Sequence, residues 1–220
     1  MTWVKICGIA NLEDARIAVE AGADALGFVF YPNSPRYVDP LAARSIVAAL
    51  PAAIEKIGVF VDEAPQSLAG IAQQVGLTGV QLHLEPSRIR QQPSSLAPLN
   101  GVKQYVALRV HGLLPAEFPL PLARPPDGIL LDSGTLLEPG GTGKAFDWEQ
   151  SRSLVARMKK MANVVVAGGL TPSNVRMAMR ILEPWGVDVA SGVEARPGKK
   201  DPEKVRAFLE AVRDTDRRIP

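Results

Sequence analysis

Trp3-Val4-Lys5-Ile6-Cys7-Gly8 opens the chain and reads as a short strand that ends in its only cysteine. Val4 and Ile6 suit a pleated, buried segment, and Gly8 permits a tight exit. A thiol at the carboxyl end of a strand, followed by a loop and a helix, stands where α/β folds carry out chemistry. The commoner fate of a free cysteine is to serve as a small buried hydrophobe. The rest of the chain decides between the two.

Outward from this strand, short apolar runs alternate with amphipathic stretches. Asn11 can cap a helix through Gly22, with Glu13 and Asp14 in its first turn. Ala25 to Phe30 is a second strand, and a loop from Tyr31 to Val38 leads to a helix from Asp39 to about Leu50. Lys56 to Val61 and Gly79 to Leu82 are the next strands, separated by a helix over 65–75. A helix over about 85–96 precedes a fifth strand, Val102 to Leu108. The proline-rich stretch 109–126 holds either a loop or a short helix near 115–118. Gly128-Ile129-Leu130-Leu131-Asp132 is a sixth strand closed by a carboxylate. A glycine-rich loop, a helix from Asp147 to Met161, a strand from Asn163 to Ala167 and a helix opened by Thr171-Pro172-Ser173-Asn174 follow. Val187 to Ala190 is the eighth strand, and a helix from Asp201 to about Arg213 comes last.

Eight strands alternating with helices predict the α/β class, as a single (β/α)8 TIM barrel of the phosphate-binding type over residues 1–220. Gly22-Ala23-Asp24 and Gly186-Val187-Asp188 repeat a motif ahead of a strand. An open doubly wound sheet would carry its glycine fingerprint after the first strand, and Cys7-Gly8-Ile9 does not match it. No composition shift points to a second domain.

Composition narrows the function. With 46% hydrophobic and 22% charged residues the chain is an ordinary globular one, and its net charge of +2 is scattered rather than clustered. Aromatics make up 5%, too few for base-stacking platforms, so no nucleic-acid partner is expected. One cysteine cannot form an internal disulfide, and no apolar run approaches a membrane span, so a cytoplasmic protein without a membrane partner is expected. Two histidines far from that cysteine do not suit a zinc centre, and no metal or cofactor is expected. Oligomeric state is open between monomer and homodimer.

In a barrel of this kind the site gathers at the carboxyl ends of the strands. Cys7 ends strand one, Arg36 lies in the loop after strand two, Asp62 follows strand three and His83 follows strand four. Asp132 ends strand six, Gly168-Gly169 follows strand seven, and Ser191-Gly192 follows strand eight. Glycines at consecutive strand ends suit a phosphate, which needs converging backbone N–H groups and no Cβ atoms in the way. A short extra helix at Ser191-Gly192-Val193-Glu194 would add its N-terminus, and Gly141, Thr142 and Gly143 could close over the same anion. Cys7 and Asp132 would then flank a small substrate as proton acceptor and donor, provided their surroundings move both toward neutrality. A free thiol titrates near about 8.5, so a positive neighbour such as Lys5 would have to help.

Arg36 reads either as a fork for a second anionic group or as a surface arginine. His83 fills the barrel mouth or orients a neighbour, and Asp62 is a helix cap or a ligand. Asp24 and Asp188 are placed at the amino ends of their strands, where a stability role is expected. The role of Lys5 is open.

At these residues the chain resembles the phosphoribosylanthranilate isomerase family. Val4-Lys5-Ile6-Cys7-Gly8, Ser34-Pro35-Arg36-Tyr37-Val38, Val80-Gln81-Leu82-His83, Leu130-Leu131-Asp132 and Gly140-Gly141-Thr142-Gly143 carry the resemblance. Ala167-Gly168-Gly169-Leu170-Thr171-Pro172-Ser173-Asn174, Val187 through Glu194 and Pro197-Gly198-Lys199-Lys200-Asp201 extend it in order toward the C-terminus. The resemblance implies an Amadori rearrangement of phosphoribosylanthranilate in tryptophan biosynthesis, without metal or cofactor. It implies that Asp132 protonates the ribose ring oxygen, that Cys7 removes the proton from sugar carbon two, and that Arg36 holds the anthranilate carboxylate. It also implies that Gly141 to Gly143, Gly169 and Ser191-Gly192 seat the phosphate. The chain departs from the pattern at Ala10, where a threonine is usual, and at Leu84, where a glycine is usual. A sugar-phosphate epimerase or an indole-glycerol-phosphate synthase relative would instead show a metal set or catalytic lysines at several strand ends. A barrel that only bound a phosphorylated ligand would be indifferent to replacement of Cys7.

Overall fold

In a computed structural model of the chain, which describes residues 1–83, 101–110, 125–133 and 145–218, the first strand, β1, covers Trp3–Cys7. Parallel pairing runs from it through β2 (Ala25–Val29), β3 (Glu55–Val61), β4 (Gly79–His83), β5 (Lys103–Arg109), β6 (Gly128–Asp132), β7 (Asn163–Val166) and β8 (Gly186–Val189). The sheet closes where β8 pairs with β1, setting Lys5 opposite Asp188. The eight-stranded barrel expected from the sequence is therefore the fold. The predicted helix at 85–96, the stretch near 115–118 left open between loop and short helix, Gly141, Thr142, Gly143 and Leu84 lie outside the described residues.

Local sequence chemistry sets the helix starts. α1 (Leu12–Glu20) begins where the Asn11 side chain accepts from the backbone N–H of Asp14. The Asp39 carboxylate caps α2 (Pro40–Ala48), the Asp147 carboxylate caps α4 (Trp148–Met158), and the Asp201 carboxylate caps α6 (Pro202–Asp216). Each such cap satisfies an N–H that the first turn leaves open and contributes about 1 kcal/mol. α3 (Pro65–Val75) follows Ala64, which offers no capping side chain, so Asp62 is not its cap. α5 covers Val175–Leu182. None of these helices is long and apolar enough to cross a membrane.

Because a strand's side chains alternate in direction, β1 sends Val4 and Ile6 outward and Trp3, Lys5 and Cys7 inward. Val4 and Ile6 join Leu26, Phe28, Val106 and Ile129 in the large apolar shell packed against the helices. Trp3, Ala25, Ile57, Tyr105, Leu130 and Val165 fill the amino half of the interior, where Trp3 stacks on Tyr105 with ring centroids 5.7 Å apart. Cys7, Val29 and Val59 form a small separate apolar group toward the carboxyl end. Among the described residues the amino half of the interior is filled by side chains, and a pocket lies at the carboxyl end.

Two expectations are corrected here. The extra helix expected at Ser191–Glu194 is a single 3-10 turn, Ser191–Val193. The chain then forms a small antiparallel hairpin of β9 (Glu194–Arg196) and β10 (Lys199–Lys200). Asp188, expected at the amino end of its strand, is the third residue of β8 and is buried inside the barrel. Asp24 does keep the structural role expected of it, accepting the Val4 N–H at 2.8 Å and pairing with Arg213 at 2.9 Å.

Candidate active site

β1, β6 and the loops after β2, β7 and β8 carry their functional side chains to one pocket at the carboxyl end of the barrel. Cys7, Arg36, His83, Asp132, Gly168, Gly169 and Ser191 all line it, as do Gln81 and Asp188. Gly192 lies one residue beyond the lining, and Lys5 sits beneath it.

Missing side chains shape the pocket as much as those present. A Cβ on Gly27 would lie 2.7 Å from Cys7 Sγ, so the bare backbone of β2 makes room for the thiol. Gly8, at φ 79, both turns the chain out of β1 and clears space for Arg36, whose Cδ would meet a Cβ there at 2.6 Å. Gly192 packs its α-carbon against the Leu170 carbonyl so closely that any Cβ would overlap it. Loops seven and eight are thereby locked together. Asn174 holds loop seven from the other side, accepting from the Thr171 N–H at 2.8 Å and donating to the Gly169 carbonyl at 2.9 Å.

Beneath the pocket lies an ion pair in the barrel interior. Lys5 is 1% exposed, and its Nζ donates to Asp188 Oδ1 at 2.7 Å. Burial works against the ammonium, but Asp188 and Cys7 outweigh it and hold Lys5 above its usual range. Burial pushes the Asp188 carboxyl up, with Lys5 opposing. The direct contact favours the ionised form of both, so we take the pair as charged. Burial also pushes the Cys7 thiol above its usual range, an effect that the Lys5 ammonium opposes without reversing and that Asp188 reinforces. Lys5 is a positive neighbour of the thiol, but its pull does not offset burial, so the expected move of Cys7 toward neutrality is not met.

His83 is not positioned to hold a charge. Burial, then Lys5 and Arg109, pushes its pKa down to about 4. The neutral ring lies 2.8 Å from Gln81 Nε2 through its own Nε2, which therefore accepts, leaving the ring proton on Nδ1.

Arg36 is not a loose surface arginine. Its Nε and Nη2 each donate to Glu194 at 2.8 Å in a bidentate fork. Glu194 in turn accepts from Lys200 Nζ at 3.0 Å. Sequence reasoning missed Glu194 and Lys200, because a charged pair in a hairpin of this size carries no strand signature.

A model of the family "N-(5'phosphoribosyl)anthranilate (PRA) isomerase" matches residues 4–211. The chain belongs to the N-(5'-phosphoribosyl)anthranilate isomerase family. A relative of that name from Geobacter sp. (strain M21) is 45% identical over 213 residues, covering 95% of this chain and 97% of the relative. The crystal structure of the phosphoribosyl anthranilate isomerase of Thermotoga maritima superposes with a TM-score of 0.78 at 40% identity, covering 97% of this chain and all of that one. A solved isomerase bound to reduced 1-(o-carboxyphenylamino)-1-deoxyribulose 5-phosphate gives a TM-score of 0.77 at 37% identity, with 97% of this chain and 100% of that one covered. The isomerase is thus an aldose–ketose isomerase of tryptophan biosynthesis, as its sequence resemblance implies.

Proposed function

We propose that the isomerase works by proton transfer between the phosphoribosylanthranilate sugar and two residues facing each other across the mouth, Asp132 and Cys7. Asp132 donates a proton to the ribose ring oxygen as the bond from carbon one to that oxygen breaks. The nitrogen lone pair moves in to form a Schiff base. The Cys7 thiolate then removes the proton from carbon two, and the electrons of that bond neutralise the iminium to give an enolamine. Loss of the carbon-two hydroxyl proton and protonation of carbon one deliver the aminoketose. The protons balance, so the reaction needs no redox partner.

The observation that carries this reading is the convergence of Cys7 from β1 and Asp132 from β6 on one pocket. Arg36 grips the anthranilate carboxylate, and the backbone of Gly168-Gly169 and Ser191-Gly192 receives the phosphate. The Lys5 ammonium opposes the burial that raises the thiol and favours the thiolate that forms. An enzyme with one thiol and a small phosphorylated substrate suits the reducing cytoplasm.

The test is turnover of freshly generated phosphoribosylanthranilate, followed by loss of its fluorescence, with wild type and Cys7→Ala compared in the presence of EDTA. Conversion by wild type and its loss in the variant support the reading. Equal rates in the two proteins would remove Cys7 from the proton transfer.

A further inference from the structure

Arg36 is asked to attract an anion, yet its fork is already filled by one. Glu194 occupies the Nε and Nη2 edge of the guanidinium, each nitrogen at 2.8 Å. An isolated arginine–carboxylate pair is close to neutral, and a second carboxylate approaching it meets little net attraction and the repulsion of the first. The arrangement therefore needs a further positive charge, and the hairpin supplies one. Lys200 is 1% exposed, and its Nζ donates to Glu194 Oε1 at 3.0 Å and to the Ala190 carbonyl at 3.1 Å. Glu194 is its carboxylate partner among the described residues. Two cations and one anion leave a charge of +1 beside the pocket.

The hairpin is fixed in the place that this role requires. Its turn abuts the Arg36 loop, since a Cβ on Gly198 would lie 2.8 Å from the Pro35 carbonyl oxygen. Its other side is tied to α1: the Lys200 N–H donates to Asp14 Oδ2 at 2.9 Å, and Lys199 Nζ reaches Asp14 and Glu13 at 2.8 and 2.7 Å. Glu194 thus seats the Nε and Nη2 edge of the guanidinium of an arginine that lines the pocket.

We propose that Lys200 is a specificity-determining positioning residue of the isomerase: by neutralising Glu194 it leaves the charge of Arg36 for the substrate's aromatic carboxylate. The proposal rests on the assignment of Arg36 to that carboxylate, and it deepens that assignment by naming what makes Arg36 attractive to an anion. Burial pulls Lys200 below its usual range, and Glu194 opposes that pull.

The experiment measures binding of two ligands by titration calorimetry: reduced 1-(o-carboxyphenylamino)-1-deoxyribulose 5-phosphate, and the same compound without its carboxyl group. Lys200→Met is expected to weaken the carboxylate ligand by about tenfold and to leave the carboxyl-free ligand within about twofold. Adding Glu194→Gln to Lys200→Met removes the uncompensated anion and is expected to recover most of that loss. A residue that only braced the hairpin would lower both affinities, and the second substitution would deepen the loss; either result overturns the proposal. Should Lys200→Met not fold, Lys200→Gln reads the same quantity. Arg36→Met separates the two levels. If it keeps the full preference for the carboxylate ligand, the assignment of Arg36 itself falls. If it loses the preference while Lys200→Met keeps it, only the role of Lys200 falls.

Discussion

Nζ of Lys5 lies 2.7 Å from Oδ1 of Asp188, across the seam where β1 meets β8. Lys5 sits two residues below Cys7 on the same inward face, so the pair is the floor of the thiol's environment. Lys5→Met removes the cation that pulls the thiol down and leaves Asp188, which pushes it up. The thiolate titration, read by absorbance near 240 nm, is expected to move to higher pH, and because Cys7 is the sole cysteine the signal has one source. The same variant is expected to lose about 3–5 kcal/mol in urea unfolding, the usual cost of leaving a buried charge unpaired. An unmoved titration would detach Lys5 from the chemistry.

Gly27 touches the reaction through space alone. A Cβ there meets Cys7 Sγ at 2.7 Å and Cys7 Cα at 3.1 Å, so Gly27→Ala must displace the thiol. We expect kcat to fall about 10²-fold with a smaller change in KM, because a misplaced base costs turnover more than binding. A change in KM alone would mean that the thiol had not moved.

Asp132→Asn retains the shape and hydrogen-bonding reach of the side chain but cannot supply the ring-opening proton. Turnover is expected to drop about 10²–10⁴-fold, the range general acids contribute. Protection by inorganic phosphate against thermal unfolding should match wild type. Near-normal turnover would exclude Asp132 as the acid.

His83 makes stability depend on pH. Its pKa falls from 6.5 in the unfolded chain to about 4 in the folded one, so between those values the unfolded state binds the extra proton. This contribution is complete above pH 6.5 and is lost as pH falls toward 4. By pH 5 the loss amounts to about 2 kcal/mol. Urea unfolding at pH 7.5 and pH 5 should show His83→Asn losing correspondingly less stability on acidification than wild type.

Much of this site is legible in the sequence because strands one and six end their apolar runs in a thiol and a carboxylate. Val4-Lys5-Ile6-Cys7 and Ile129-Leu130-Leu131-Asp132 announce both the strand and its chemistry. Asp188 is harder to read. Barrel strands are apolar on both faces, so Val187 and Val189 do not mark which way Asp188 points, and Gly186 looks like a turn before the strand instead of its first residue. The Arg36–Glu194 fork joins residues 158 positions apart, and Glu194-Ala195-Arg196 and Lys199-Lys200 have none of the β-branched content that marks strands. What the sequence conceals is the part that depends on closure.

That closure has a consequence for how the chain becomes active. Lys5 and Asp188 are 183 residues apart, and the pairing of β1 with β8 is the most distant strand contact in the barrel. During synthesis the first strand, bearing the thiol, emerges long before its final neighbour, and pairing at such separation is slow to form. Until β8 and the chain after it arrive, Lys5 has no Asp188, Arg36 has no Glu194, and loop seven has no Gly192 to lock against. A nascent isomerase that ends before residue 186 lacks the partners that complete its site.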